Sequence, residues 1–279
     1  MKVAVLAYHS QNVNGSTYAT NDHVALATDL SLIRRRGIPV LPLGALVAAW
    51  LGPARDQLPP AAVALTCDDG TLLDWEPFDH PSEGMQTPFR EIVAAHARES
   101  AVSAKGMLTS FVIASPDARR EIDAGCYAGY PLSDERWWAE AQREGTIDIE
   151  NHSWDHVHAC VSVVAQAEQR KGDFAAISTW QDADLQIRRS ADYIDRALST
   201  TGHATSLFAY PYGHVNRFLV DEYFPGCTSQ HRVRAAFADR PAFWTDESNR
   251  YEIPRFVCGL AWRSPAEFSR ILDLATGNL

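Results

Sequence analysis

Short apolar runs rich in β-branched residues recur along the chain, at 3–7, 38–41, 62–66, 107–113, 146–149, 206–210, 235–237 and 256–258. Their length and composition predict buried strands. Helical patterns fall between them. The clearest is 182–199, where Leu185, Ala191, Ile194 and Leu198 lie near 3.6-residue spacing beneath an exposed Asp184 and Arg188 pair. Further helices are predicted at 23–36, 88–100, 133–143 and 264–275. Strands alternating with helices along a whole chain imply parallel βα units, and about seven or eight of them favour a closed α/β barrel over an open sheet. No internal repeat, low-complexity tract or linker interrupts the pattern, so residues 1–279 read as a single domain.

Composition narrows the function classes. With 279 residues and 46% hydrophobic content, the chain can bury a large core, which excludes general disorder. The formal charge is -10 and the one basic block is Arg34-Arg35-Arg36, so no nucleic-acid partner is expected. The five cysteines, 67, 126, 160, 227 and 258, contain no Cys-x-x-Cys and fit reduced thiols better than a disulfide framework or a zinc ribbon. The first eight residues are too short an apolar run for a secretory signal and read as a first strand. The longest apolar stretch, 44–51, has about half of the roughly 18 residues that a membrane span needs. No membrane span and a cytoplasmic location are the expectations, with the oligomeric state left open.

Three short stretches carry candidate chemistry: Cys67-Asp68-Asp69-Gly70, His152-Ser153-Trp154-Asp155-His156 and Tyr210-Pro211-Tyr212-Gly213. Each follows an apolar run, and in parallel barrels the ends of strands converge on one mouth. His152 and His156, four apart, would project from one face of a helix as two ligands of one metal. Asp69 can add an oxygen, giving a two-His, one-carboxylate site with positions open for water and substrate. The turn at Gly70 would let both carboxylates face the cleft, one on the metal and one free as general base. Each stretch also has an ordinary use: a polar turn, a solvated His pair, a proline-glycine turn.

The ordered set Thr66-Cys67-Asp68-Asp69-Gly70, His152-Ser153-x-x-His156 and Phe208-Ala209-Tyr210-Pro211-Tyr212-Gly213 resembles the polysaccharide deacetylases with a NodB homology domain, carbohydrate esterase family four. Tyr8-His9-Ser10 and the Leu58-Pro59 approach resemble the bacterial branch of that family. The resemblance covers most of the chain. It implies a distorted (β/α) barrel and metal-dependent removal of an acetyl group, N-acetyl before O-acetyl, from a carbohydrate. It also implies Asp68 as catalytic base, Asp69, His152 and His156 as metal ligands, and the backbone N–H of Tyr212 as an oxyanion donor. One divalent ion is expected, zinc first and cobalt, nickel or manganese as alternatives.

The sequence departs from that pattern in three places. Cys67 stands where phenylalanine is usual, a change expected to affect packing more than chemistry. Ala209 stands where many members have an arginine that pairs with the base, so Arg217 or Arg255 would have to supply the cation. The late Leu-x-His motif, source of the general acid, is missing, and Leu272-Asp273-Leu274 occupies its region. His214, directly after the Pro-Tyr-Gly turn, is the first substitute, with His80 and His158 as rivals and Asp68 itself able to return its proton. Residues 70–151 suggest a long lid near the mouth. Trp75, Tyr210 and Trp154 are candidate sugar-binding residues, and Phe78 and Trp138 could offer flat faces in the same way. The rival readings are a hydrolase of a non-sugar amide, a non-catalytic carbohydrate-binding barrel and a non-haem iron oxygenase.

Overall fold

The apolar runs become seven parallel strands that close on themselves: β1 (Lys2–Tyr8), β2 (Ala61–Asp69), β3 (Leu108–Val112), β4 (Ile147–Asn151), β5 (Leu207–Ala209), β6 (Ala235–Asp239) and β7 (Ile253–Val257). Each pairs with the next in parallel register, and β7 pairs back onto β1 at Leu6↔Phe256. The computed structural model describes residues 1–277. This is the expected single-domain barrel. A two-residue strand, Trp244–Thr245, runs antiparallel beside the start of β1.

Strand alternation sorts side chains into two cores. Val3, Val5, Ala62, Ala64, Leu207, Ala209, Ala235, Phe237 and Ile253 fill the barrel interior. Their neighbours Ala4, Leu6, Val63, Leu65 and Cys67 face outward against helices α1 (Asp22–Arg35) and α3 (Phe89–Ser100). Both faces are buried, which is why the strands read as unbroken apolar runs instead of alternating ones. Cys67 sits in this outer packing layer, as expected for a change of packing.

The run 44–51 is neither strand nor span. It forms α2 (Leu43–Trp50), whose Leu43, Leu46, Val47 and Trp50 join the interior core. Trp50 meets Trp244 edge to face at 5.2 Å, beside the first residues of β1. The helix therefore plugs the barrel at the end where strands begin and leaves the opposite end for chemistry. Among the described residues, no helix is long and apolar enough to cross a membrane.

Some expectations need correction. The run 38–41 makes only an isolated bridge, Val40 to Val63, because Pro39 and Pro42 flank Val40-Leu41 and lack the N–H groups that a ladder needs. The helix expected at 133–143 is shorter, α5 (Trp138–Glu144). A helix not foreseen, α4 (Pro116–Cys126), starts from Ser115, whose hydroxyl accepts the N–H of Ala118, with proline in its first turn. The helix over 180–197 contains a π-helical turn, Asp184–Arg188. Residues 70–151 form no irregular lid, since they hold α3, β3, α4, α5 and a small hairpin, Phe78–His80 with Gly84–Gln86.

Trp50→Ala should cost about 3–5 kcal/mol in urea unfolding.

Candidate active site

Alternation along β2 turns Ala62, Ala64, Thr66 and Asp68 inward, so Asp68 forms the top layer of the barrel interior. Opposite it, Arg255 on β7 is fully buried. Its Nη1 donates to Asp68 Oδ1 at 2.8 Å and its Nη2 to Asp68 Oδ2 at 2.7 Å. Nη2 also donates to Asp239 Oδ1 at 2.7 Å, at the end of β6. Burial alone would favour the neutral acid, but the Arg255 charge and its two hydrogen bonds hold the Asp68 carboxyl well below the usual carboxylate range. The cation absent at Ala209 is thus supplied by Arg255, two strands away. Arg217 lies on the surface against Glu252 instead.

Asp69 would face outward by alternation, yet its backbone adopts φ 72°, followed by Gly70 at φ 68°. This left-handed pair swings the second carboxylate back to the mouth. A β-carbon on Gly70 would also lie 2.4 Å from Val112 Cγ1, so glycine is required there twice over.

His152 and His156 meet without a helix. The segment after β4 is a loop with positive φ at Ser153, His156 and Val157. Asn151 starts it, accepting the N–H of Ser153 and the hydroxyl of Ser190 while its amide donates to the carbonyl of Ile187, within the π-helical turn. Asp155, tied to Gln186 and to the N–H groups of Val157 and Ala165, fixes the middle. The two rings end 4.8 Å apart. His152 Nδ1 can only donate to the carbonyl of Ala209, at 2.9 Å, which leaves Nε2 as the nitrogen that faces Asp69. The Nε2 atoms of His152 and His156 lie 3.7 and 3.6 Å from Asp69 Oδ1. Burial first, then the neighbouring imidazoles His152 and His158, push His156 well below its ordinary pKa, so its ring is neutral. One carboxylate oxygen and two imidazole nitrogens within 4.8 Å of one another suit a divalent cation, and the excess of carboxylates around them favours positive charge.

These groups line one cavity of about 200 Å³ with His9, Tyr127, His158, Tyr212 and Asp239. Tyr212 stands at φ 58°, and its ring lies 4.3 Å from that of His156, edge on. Gly213 lets this turn close on β6, since a β-carbon there would meet Asp239 Cβ at 2.4 Å.

Other candidates are placed elsewhere. His214 is partly exposed, 3.8 Å from Asp173, and lines an adjoining cavity with Arg240 and Glu252 instead of the one with Asp68. Tyr210 is buried with its hydroxyl bonded to the carbonyl of Tyr251, so it packs and does not face substrate. Trp75 stacks on Trp137 under Arg90, and the face of Trp154 is covered by Arg189 at 3.6 Å. Trp138 is buried under Arg119, and His80 and Phe78 belong to the hairpin. The sequence reading gave His9 no role of its own and missed Asp239. Both end or follow barrel strands, and the strand-end rule that picked out Asp68 and Asp69 would have found them.

The sequence of residues 55–223 matches the model of the polysaccharide deacetylase family, more than half of the chain. The chain belongs to the polysaccharide deacetylase family. Its fold is that of solved deacetylases. A de-N-acetylase from Aggregatibacter actinomycetemcomitans superposes with TM-score 0.63 at 16% identity, over 97% of this chain and 100% of that one. IcaB from Ammonifex degensii gives 0.61 at 19%, over 98% and 97%. The Streptococcus pyogenes deacetylase PplD, in complex with acetate, gives 0.58 at 14%, over 94% and 95%. No curated protein matches the sequence. The family match spans Asp68, Asp69, His152, His156 and Tyr212 of this deacetylase, whereas His9, Asp239 and Arg255 lie outside it.

Replacing Arg255 by methionine should destabilise the protein by about 3–5 kcal/mol, because buried Asp68 and half-buried Asp239 lose their cation. Urea unfolding measures this. The double variant Asp68→Asn/Arg255→Met should recover part of the loss, since one of the stranded charges is gone.

Proposed function

We propose that this chain is a metal-dependent hydrolase that removes N-acetyl groups from a carbohydrate. The observation that carries the reading is the convergence of Asp69, His152 and His156 in one cavity beside an Asp68 held ionised by Arg255. A divalent cation in that cradle, zinc by the two-imidazole, one-carboxylate chemistry, would supply polarisation of the acetyl carbonyl and a lowered pKa for the attacking water.

The residues divide the remaining work. Asp68, ionised and aimed at the mouth, takes the proton of the attacking water. Arg255 keeps it charged and fixed. The N–H of Tyr212, set by the left-handed turn, donates to the oxyanion, a contribution typically worth about 3 kcal/mol of barrier. An amine leaving group must be protonated as it departs. His9 is placed for that role. Burial acts against its charged form, yet the carboxylates of Asp68, Asp69, Asp22 and Asp239 outweigh it and raise its pKa above the ordinary imidazole value, which favours the protonated ring. Its place in the cavity with Asp68 favours His9 over His214 as the acid. The relative from Aggregatibacter actinomycetemcomitans is itself described as a de-N-acetylase. A cavity of about 200 Å³ is smaller than the roughly 300–1,000 Å³ of drug-sized sites, which fits one acetylated sugar unit at a time.

Acetate release from an N-acetylated oligosaccharide is the direct assay. Wild type should release acetate, and Asp68→Asn should lose about 10²–10⁴-fold in kcat. His9→Ala should fall about 10²-fold while His214→Ala stays near wild type. Full activity in Asp68→Asn would remove the base assignment, and loss in His214→Ala with retention in His9→Ala would exchange the acid.

A further inference from the structure

Two free thiols flank the cavity. Cys126 ends α4 and Cys160 sits in the loop after His156, with their Sγ atoms 3.2 Å apart across 34 residues of sequence. Both are exposed, whereas Cys67 and Cys258 are buried and Cys227 is half-buried. Their neighbours Tyr127 and His158 line the cavity. The contact is built in, because a β-carbon on Gly125 would meet Cys160 Cβ and Sγ at 3.1 Å, so the small residue lets the loop seat on the last turn of α4. A second clasp lies beside it, where the N–H and hydroxyl of Ser162 both donate to Glu121. Apart from these clasps the loop has no regular secondary structure and carries several left-handed residues.

We propose that Cys126 and Cys160 are a reversible dithiol–disulfide pair which, when oxidised, staples the loop bearing His152 and His156 to α4. The sulfurs need to close from 3.2 Å to about 2.05 Å, a small movement for two side chains that already touch. The oxidant is a low-molecular-weight disulfide such as oxidised glutathione. One protein thiolate attacks a sulfur of it, releasing one small thiol and leaving a mixed disulfide. The second protein thiolate displaces the other small thiol, so two electrons and two protons leave with the two small thiols. Cross-linking removes freedom from the unfolded chain and from the loop, so the oxidised form is the more rigid one.

His158 lies close enough to the two sulfurs to suggest a second metal site instead. Its Nδ1 accepts the N–H of Cys160 at 3.1 Å, which places the proton of the neutral ring on Nε2 and leaves no free lone pair for a cation. His152 has the opposite arrangement.

The test is to incubate the reduced full-length protein with excess oxidised glutathione, then record intact mass, free thiols and a non-reducing peptide map. The pair closes if the mass falls by two hydrogens, two thiols disappear, the map links Cys126 to Cys160 and dithiothreitol restores them. Amide exchange in the loop should slow on oxidation, and the Tm should rise. Cys126→Ser should instead hold a stable glutathione adduct at Cys160. Separate adducts on both cysteines of the wild type, or thiols that stay reduced, would overturn the proposal. So would zinc uptake that protects both thiols in wild type and is lost in His158→Ala.

Discussion

The buried contact between Arg255 and the carboxylates of Asp68 and Asp239 is the constraint on which the mouth of this barrel depends. Three charged side chains from β2, β6 and β7 occupy the top layer of the interior, where apolar residues would otherwise continue. Such a cluster is tolerable in low dielectric only when each charge has a partner and good geometry. The two-pronged contact of Arg255 with Asp68 meets that condition and fixes the Asp68 rotamer at the same time. Strand alternation then does the rest. It points Asp68 inward and would point Asp69 away, and the left-handed backbone at Asp69 and Gly70 reverses the second direction. One carboxylate is consequently clamped by a cation, and its neighbour is left free for another.

The rest of the mouth is assembled from segments that are locally irregular. The His152 loop leans on Asn151, Asp155 and the π-helical turn near Ile187, and the Tyr212 turn leans on Asp239 through Gly213. Regular elements supply the rigid frame, and the strained residues sit where side chains must be aimed. The far end of the barrel carries none of this. There α2 and Trp244 pack as an apolar plug.

Much of this was legible in sequence. Strand runs at 3–7, 62–66, 107–113, 146–149, 206–210 and 235–237 were visible because strands buried on both faces are continuously apolar. The order of acidic pair, His pair and Pro-Tyr-Gly turn marked the family. The illegible parts have physical reasons. The run 38–41 has strand composition, but its prolines forbid a ladder. The His pair has helical spacing, but its backbone is set by hydrogen bonds that tie Asn151 and Asp155 to Ile187, Ser190 and Gln186, more than thirty residues away. Aromatic residues such as Trp75, Tyr210 and Trp154 look alike in sequence whether they face sugar or core, and only the contacts with Trp137, Tyr251 and Arg189 separate the two. Arg255 could be named as a possible partner for Asp68, but its reach across the barrel depends on closure of β7 onto β1.

The central claim is that Asp69, His152 and His156 form one cation site whose third ligand is the carboxylate turned inward by the strained backbone. Elemental mass spectrometry of tag-free protein, beside a calorimetric zinc titration of wild type and Asp69→Ala, tests it most directly. Wild type should hold about one ion per chain, and Asp69→Ala should lose binding with the fold intact by circular dichroism. Zinc bound equally by the variant, or no ion bound by reconstituted wild type at neutral pH, would contradict it.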